Sequence, residues 1–279
     1  MIKVKPNEPC PCGAKKKYKK CCYAGTRSFR PGEALEKHLR QYSLASRVFS
    51  VRFHKMHHHL LPKTEVRASK IHGKGVFALE DIAMFTPVAI YPIDYCCFNM
   101  GKEEIRLQTR SDVPEYNKNE KVLNQYRINF NLNTENTALD DMDVCYVADP
   151  AKQDYGHAHL INDAGCMTED SLEAWDAYMR TFQHSNVVEY HIGTFGLFFV
   201  AIRDIKAGDE LLYHYGMSYW AKERKVSERL AAEHPYMVDA ENTLKGTWRE
   251  KVAEKLAQLT QIDKTYRQHD FQTLYNQLS

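Results

Sequence analysis

The sequence predicts a strand-rich α+β fold, on three observations. β-Branched and aromatic residues crowd Gly196 to Ile202, the composition of a buried strand. After a turn at Lys206-Ala207-Gly208-Asp209 the chain alternates through Leu211, Tyr213 and Tyr215, which places both tyrosines on one strand face. Near the C-terminus, Trp248, Val252, Leu256, Leu259 and Ile262 recur at spacings of three and four, the period of an amphipathic helix.

The elements follow in chain order. Cys10-Pro11-Cys12 and Cys21-Cys22 form a C-x-C-x8-C-C pattern in a lysine-rich segment. Adjacent cysteines are poorly placed to bond each other, yet both can face one metal, and tetrahedral Zn²⁺ can supply folding energy that so short a segment lacks. Lys15, Lys16, Lys17, Lys19 and Lys20 interleave with Tyr18, a compact positive surface. Residues 26–62 are expected to be a helical connector. Their His54, His57, His58 and His59 do not share one helix face, which argues against a metal site. Gly73 and Gly75 flank Lys74 ahead of the strand-like Val76-Phe77-Ala78-Leu79, a place where backbone groups can approach a ligand closely. Gly101 to Asp143 is polar, with a strand-like Tyr126 to Leu132. Leu172, Trp175, Tyr178, Met179 and Phe182 have helical spacing within Met167 to His184, an insert able to form a lid. A helix is expected from about Ser218 to His234, ending at Pro235, and Thr247-Trp248-Arg249-Glu250 reads as the capping box of the next. Phe271, Leu274, Tyr275 and Leu278 extend the apolar stripe, and a dimer through these helices is one use for it.

Length, composition and charge set limits. The 279 residues are 43% hydrophobic, enough for one medium domain with appendages, and the net charge of +2 is nearly balanced. No apolar run approaches a membrane span and the N-terminus has no signal-peptide core, so an intracellular protein, cytoplasmic or nuclear, or an effector in a host cell, is expected. Cys96, Cys97, Cys145 and Cys166 show no second metal spacing and are expected to be buried thiols.

Four ordered segments resemble the SET-domain family of protein lysine methyltransferases. His72-Gly73-Lys74-Gly75-Val76-Phe77-Ala78 resembles the family's Gly-x-Gly segment. Tyr155-Gly156 through His159-Leu160-Ile161-Asn162 resembles the segment ending Arg-Phe-Ile-Asn-His-Ser. Ser185-Asn186-Val187 resembles its Pro-Asn-hydrophobic step, and Asp209-Glu210-Leu211-Leu212-Tyr213-His214-Tyr215-Gly216 its closing Glu-Glu-Leu-x-Tyr-Asp-Tyr-Gly. The departures are Asp163 where His is usual, His159 near the usual Arg, and Tyr91-Pro92-Ile93 in place of Tyr-x-Gly. Pro6 to Cys22 resembles the SEC-C zinc motif, with Lys15 where a second Gly is usual.

The resemblance implies a fold of small twisted β-sheets with a knot-like, threaded C-terminal segment over residues 63–220, a zinc module over 1–25 and a helical segment over 221–279. It implies S-adenosylmethionine as cofactor, bound by His72, Gly73, Lys74, Gly75, Tyr155 and Asn162. Tyr219 or Trp220, with Trp220 preferred, is expected to stack on adenine in place of the family's zinc-bearing tail. Cys10, Cys12, Cys21 and Cys22 would hold structural Zn²⁺. Tyr215 is then the essential catalytic tyrosine, Tyr213 occupies the Tyr/Phe switch, which favours mono- or dimethylation, and Tyr91 lines the lysine channel. The partner is a protein or peptide lysine, histone tails being the commonest family substrates, and the zinc module is a protein-docking element. A catalytically inactive SET-like peptide-binding module recruited through that motif is the alternative, and a nucleic-acid-associated factor built on the basic zinc segment a third reading.

Overall fold

The computed structural model describes residues 5–9, 16–20, most of 39–58, and 61–131 except 101–102, 111–112 and 114. It also describes 143–151, 156–192 except 168 and 170, 196–216, 219–220 and 234–259. Among the described residues, four small sheets form the body. β1 (Thr64–Ala68) pairs antiparallel with β2 (Lys74–Ala78) across the Gly-rich turn. β3 (Pro87–Ile90), β10 (Gly196–Ala201) and β9 (Val187–Ile192) make a three-stranded antiparallel sheet with β10 in the middle. β4 (Tyr95–Met100), β5 (Glu103–Gln108), β6 (Arg127–Asn131) and β7 (Asp143–Val147) make a four-stranded antiparallel sheet in the order β5-β4-β7-β6. The last pair, β8 (Asn162–Asp163) and β11 (Leu212–Tyr213), is parallel. One apolar cluster joins them, with Val76, Ile93, Phe98, Tyr146, Leu197 and Leu211 among its members.

Three helices with complete bounds pack around the sheets: α1 (Tyr116–Leu123), α2 (Leu172–Arg180) and α3 (Pro235–Leu259). The described positions between 39 and 55 are also helical, and Leu39 and Tyr42 lie in the main core. α2 starts at Ser171, whose side chain accepts a hydrogen bond from Ala174 N at 3.1 Å, an N-cap that satisfies one free donor. Its Trp175 and Tyr178 are buried, so this helix of the Met167–His184 insert is packed on the body.

Pro235 begins α3, because the first helical position has no use for an N–H and suits the fixed φ of proline. One C-terminal expectation is corrected. Thr247 lies inside α3 and donates its hydroxyl to Thr243 O at 2.9 Å, so Thr247 to Glu250 caps nothing. Trp248 and Val252 of the anticipated stripe do face the body, packing with Leu244 on Phe182, Val188, Val200 and Ile202. Residues 221–233 and 260–279, with the helix ending at His234 and the stripe from Phe271, lie outside the described residues. Of the four non-motif cysteines, Cys96, Cys97 and Cys145 are buried but Cys166 is exposed, because the chain turns there out of β8 towards α2.

Candidate functional site

The closing segment binds the Gly-rich turn through one amide and one carboxylate. Gly73 sits at φ 49°, a left-handed conformation that closes the turn, and its carbonyl accepts from Ser69 N at 3.0 Å. The Ser69 hydroxyl donates to Glu210 Oε2 at 3.0 Å. Asn162 Nδ2 lies 3.1 Å from His72 O, 3.1 Å from Lys74 O and 2.8 Å from Glu210 Oε1, two amide hydrogens divided among three acceptors. Gly75 has to be glycine here: a Cβ would strike the Glu210 carboxylate and stand 3.1 Å from Asn162 Nδ2. A Cβ on Gly73, by contrast, would meet nothing within 4 Å, so that side of the turn is open. His72 and Lys74 are exposed beside it.

Backbone register makes this meeting possible. Leu212 pairs with Asn162 and Tyr213 with Asp163 in the parallel ladder, while Leu211 N donates to Val76 O at 2.7 Å. Asn186 clamps the same strand from the other side, donating to Glu210 O at 2.8 Å and accepting from Leu212 N at 2.7 Å.

Asp163 organises the far end. One carboxylate oxygen accepts from Tyr178 OH at 2.7 Å, Trp220 Nε1 at 2.8 Å and Tyr215 N at 3.2 Å, and the other from Gly165 N at 3.1 Å. Burial pushes its carboxyl up to about 6, although these four donors favour the ionised form. Trp220 is thereby pinned by its indole N–H, with Tyr178 against its ring at 6.2 Å.

The tyrosines face a cleft of about 210 Å³. Tyr215 donates its hydroxyl to Ile161 O at 2.7 Å, and Tyr91 donates to Tyr126 O at 2.5 Å. The Tyr213 and Tyr215 rings are 5.9 Å apart, and Tyr219 meets Tyr215 edge-on at 4.6 Å. Burial holds the phenol pKa values of Tyr91, Tyr213 and Tyr215 well above the ordinary range, so all three are neutral hydroxyls. His159 lines the cleft as a neutral ring: burial drives its pKa down to about 3, and neither ring nitrogen has a hydrogen-bond partner among the described residues. It therefore brings none of the positive charge of an arginine.

α3 closes the cleft. Lys245 Nζ lies 3.0 Å from Glu241 Oε1, donates to Tyr215 O at 3.2 Å and stands 5.3 Å from the centre of the Tyr213 ring. Arg249 pairs with the buried Glu189 of β9. A Cβ on Gly216 (φ 102°) would collide with Glu241 and come within 2.9 Å of Lys245 Nζ, so the helix packs directly on the end of the tyrosine strand.

A family model for the SET domain matches residues 73–216, just over half of the chain. The chain belongs to the SET-domain family. A second model, for the SEC-C motif, matches residues 7–24 of this SET protein. Among solved structures, CpSET8 from Cryptosporidium is 17% identical, with a TM-score of 0.36, covering 70% of this chain and 76% of that one. A search of curated proteins gave no match.

The residues singled out in the sequence fall into two groups that β11 joins. His72, Gly73, Lys74, Gly75 and Asn162 meet at the Gly-rich turn, and Tyr91, Tyr213 and Tyr215 meet in the cleft, while Trp220 is fixed by Asp163. Tyr155, Cys10, Cys12, Cys21 and Cys22 lie outside the described residues. Sequence reasoning passed over Glu210, Glu189, Lys245 and Arg249. A lone acid within the apolar Val187-Val188-Glu189-Tyr190 run was the available signal for Glu189, since a charge in a buried strand needs a partner.

Proposed function

We propose that this SET protein is an S-adenosylmethionine-dependent protein lysine N-methyltransferase. One observation carries the reading: the short segment around β11 reaches the Gly-rich turn at Glu210 and an aromatic cleft at Tyr215, so two binding sites share one stretch of chain. S-adenosylmethionine, when bound, supplies an electrophilic methyl on a positive sulfonium. The open side of Gly73 and the close approach at Gly75 suit a cradle for such a group, held by His72, Gly73, Lys74, Gly75 and Asn162. Trp220, oriented by Asp163, is the candidate to cover adenine, and Tyr155 a further lining residue. The parallel β8–β11 pair supports a threaded C-terminal segment.

The acceptor amine must be neutral to attack. A lysine titrating at ~10.4 needs about 4 kcal/mol to reach that state at neutral pH, and an apolar aromatic cleft beside a sulfonium favours it. Tyr215 stays protonated and spends its proton on Ile161 O, so its oxygen offers lone pairs to the amine or the polarised methyl. Its role is orientation, and most of the rate comes from alignment. Tyr91 lines the cleft, and Tyr213 restricts the product to mono- or dimethyl-lysine. Histones are the first acceptors to try. Cys10, Cys12, Cys21 and Cys22 fall within the SEC-C match and are assigned to structural Zn²⁺ in a module that docks a protein. The bridge between Pro9 and Lys17, with Tyr18 N donating to Glu8 O at 2.7 Å, supports a compact knuckle.

The test is transfer of labelled methyl from S-adenosylmethionine to core histones and cell lysate proteins, wild type against Tyr215→Phe. Label on lysine with the wild type alone supports the enzyme. Neither transfer nor cofactor binding moves the reading to a peptide-binding module, which Asp163 at the family's His position favours.

A further inference from the structure

Glu189 is buried in β9, opposite Phe199, whose ring meets Tyr213 edge-on at 5.0 Å. Arg249 of α3 engages its Oε1. Its Oε2 is also buried and has no hydrogen-bond partner among the described residues, although the residue lines the cleft. Tyr213 lines the same cleft, with its ring against the Phe199 that stands opposite Glu189. Burial pushes the carboxyl up, but the Arg249 and Lys245 charges hold it below its ordinary range, so it stays ionised. The other groups around it are Glu241 on α3, paired with Lys245, and His191 and His214, each of which burial keeps neutral with a pKa of about 4. An ionised, half-satisfied carboxylate is the strongest acceptor available to the Tyr213 proton.

We propose that Glu189, fixed by Arg249, is a positioning residue that limits the number of methyl groups added, by holding the Tyr213 hydroxyl with its lone pairs facing the cleft. The inference rests on the methyltransferase reading. A neutral primary amine has two N–H groups and a monomethyl amine one, so each can donate to that oxygen. A dimethyl amine has none, and its third methyl addition loses the contact. α3, which lies outside the matched SET segment, thereby acts on the product through β9 and β11.

The experiment measures methyl states by mass spectrometry on core histones, with S-adenosylmethionine and the full-length protein. It uses Tyr213→Phe, Glu189→Gln, Arg249→Gln, Arg249→Lys and the Tyr213→Phe/Arg249→Gln double variant. Glu189→Gln and Arg249→Gln should each raise the trimethyl share about fivefold or more, a barrier change near 1 kcal/mol. Arg249→Lys should stay close to wild type, and the double variant should not exceed Tyr213→Phe. The Arg249 side chain is 39% exposed against 4% for Glu189, so its variants remain informative if Glu189→Gln folds poorly. Calorimetry supplies a second readout: Arg249→Gln should narrow the preference for an unmethylated over a dimethyl-lysine histone peptide. A shift with Tyr213→Phe but none with Arg249→Gln or Glu189→Gln would overturn the inference and leave the methyltransferase reading standing. No shift with Tyr213→Phe would remove the switch itself and the inference with it. No transfer by the wild type would overturn both.

Discussion

The Gly-rich turn and the tyrosine cleft are fixed by opposite means. At the turn, one neutral amide and one carboxylate hold backbone carbonyls, and the small size of Gly75 permits the contact. At the cleft, phenols are set by carbonyls within the SET segment and then enclosed by ion pairs from a helix beyond it. The turn should therefore be intolerant of added volume, and the cleft intolerant of lost hydrogen bonds and charge. Backbone-held contacts make a site that binds one shape, and side-chain-held contacts one that can be tuned.

The largest break in that comparison should come from Tyr215→Phe. It removes the hydroxyl on Ile161 O while keeping the ring, so transfer should fall by about a hundredfold or more with the melting temperature nearly unchanged. Gly75→Ala tests the opposite site. The added methyl displaces Glu210 or Asn162, which should weaken S-adenosylmethionine binding at least about tenfold and cost about 1–3 kcal/mol of stability, read by calorimetry and denaturant titration.

Asp163 gives a pH signature at the junction. Its folded pKa is raised from 3.8 to about 6, so between those values the folded state holds a proton that the unfolded state has released. Stability should fall as pH rises from 4 to 6, by up to about 3 kcal/mol, and then level off. Asp163→Asn should flatten that slope in melting curves. A slope unchanged in the variant would place its origin elsewhere. The smallest effect should be Ser171→Ala, which removes the cap of the helix that carries Tyr178, for a loss of about 1 kcal/mol without change in cofactor affinity.

These regions also differ in how far the sequence revealed them. The alternation through Leu211, Tyr213 and Tyr215 and the Gly73-Lys74-Gly75 step were legible because local backbone chemistry leaves a periodic trace. Their meeting was legible only through family resemblance, since nothing local encodes the parallel pairing of Asn162 with Leu212. The α3 contribution was misread. Thr247 with Glu250 satisfies a capping pattern while lying inside a 25-residue helix that begins at Pro235. The pairing of Glu189 with Arg249 joins residues far apart in the chain, which a single sequence does not disclose.

The most direct measurement sets cofactor binding against methyl transfer in the same three proteins: wild type, Gly75→Ala and Tyr215→Phe. With two sites joined by one stretch of chain, Gly75→Ala should lose S-adenosylmethionine binding, while Tyr215→Phe should bind it as the wild type does and transfer no methyl to lysine. Wild-type transfer by Tyr215→Phe, or no S-adenosylmethionine binding by the wild type, would contradict the account.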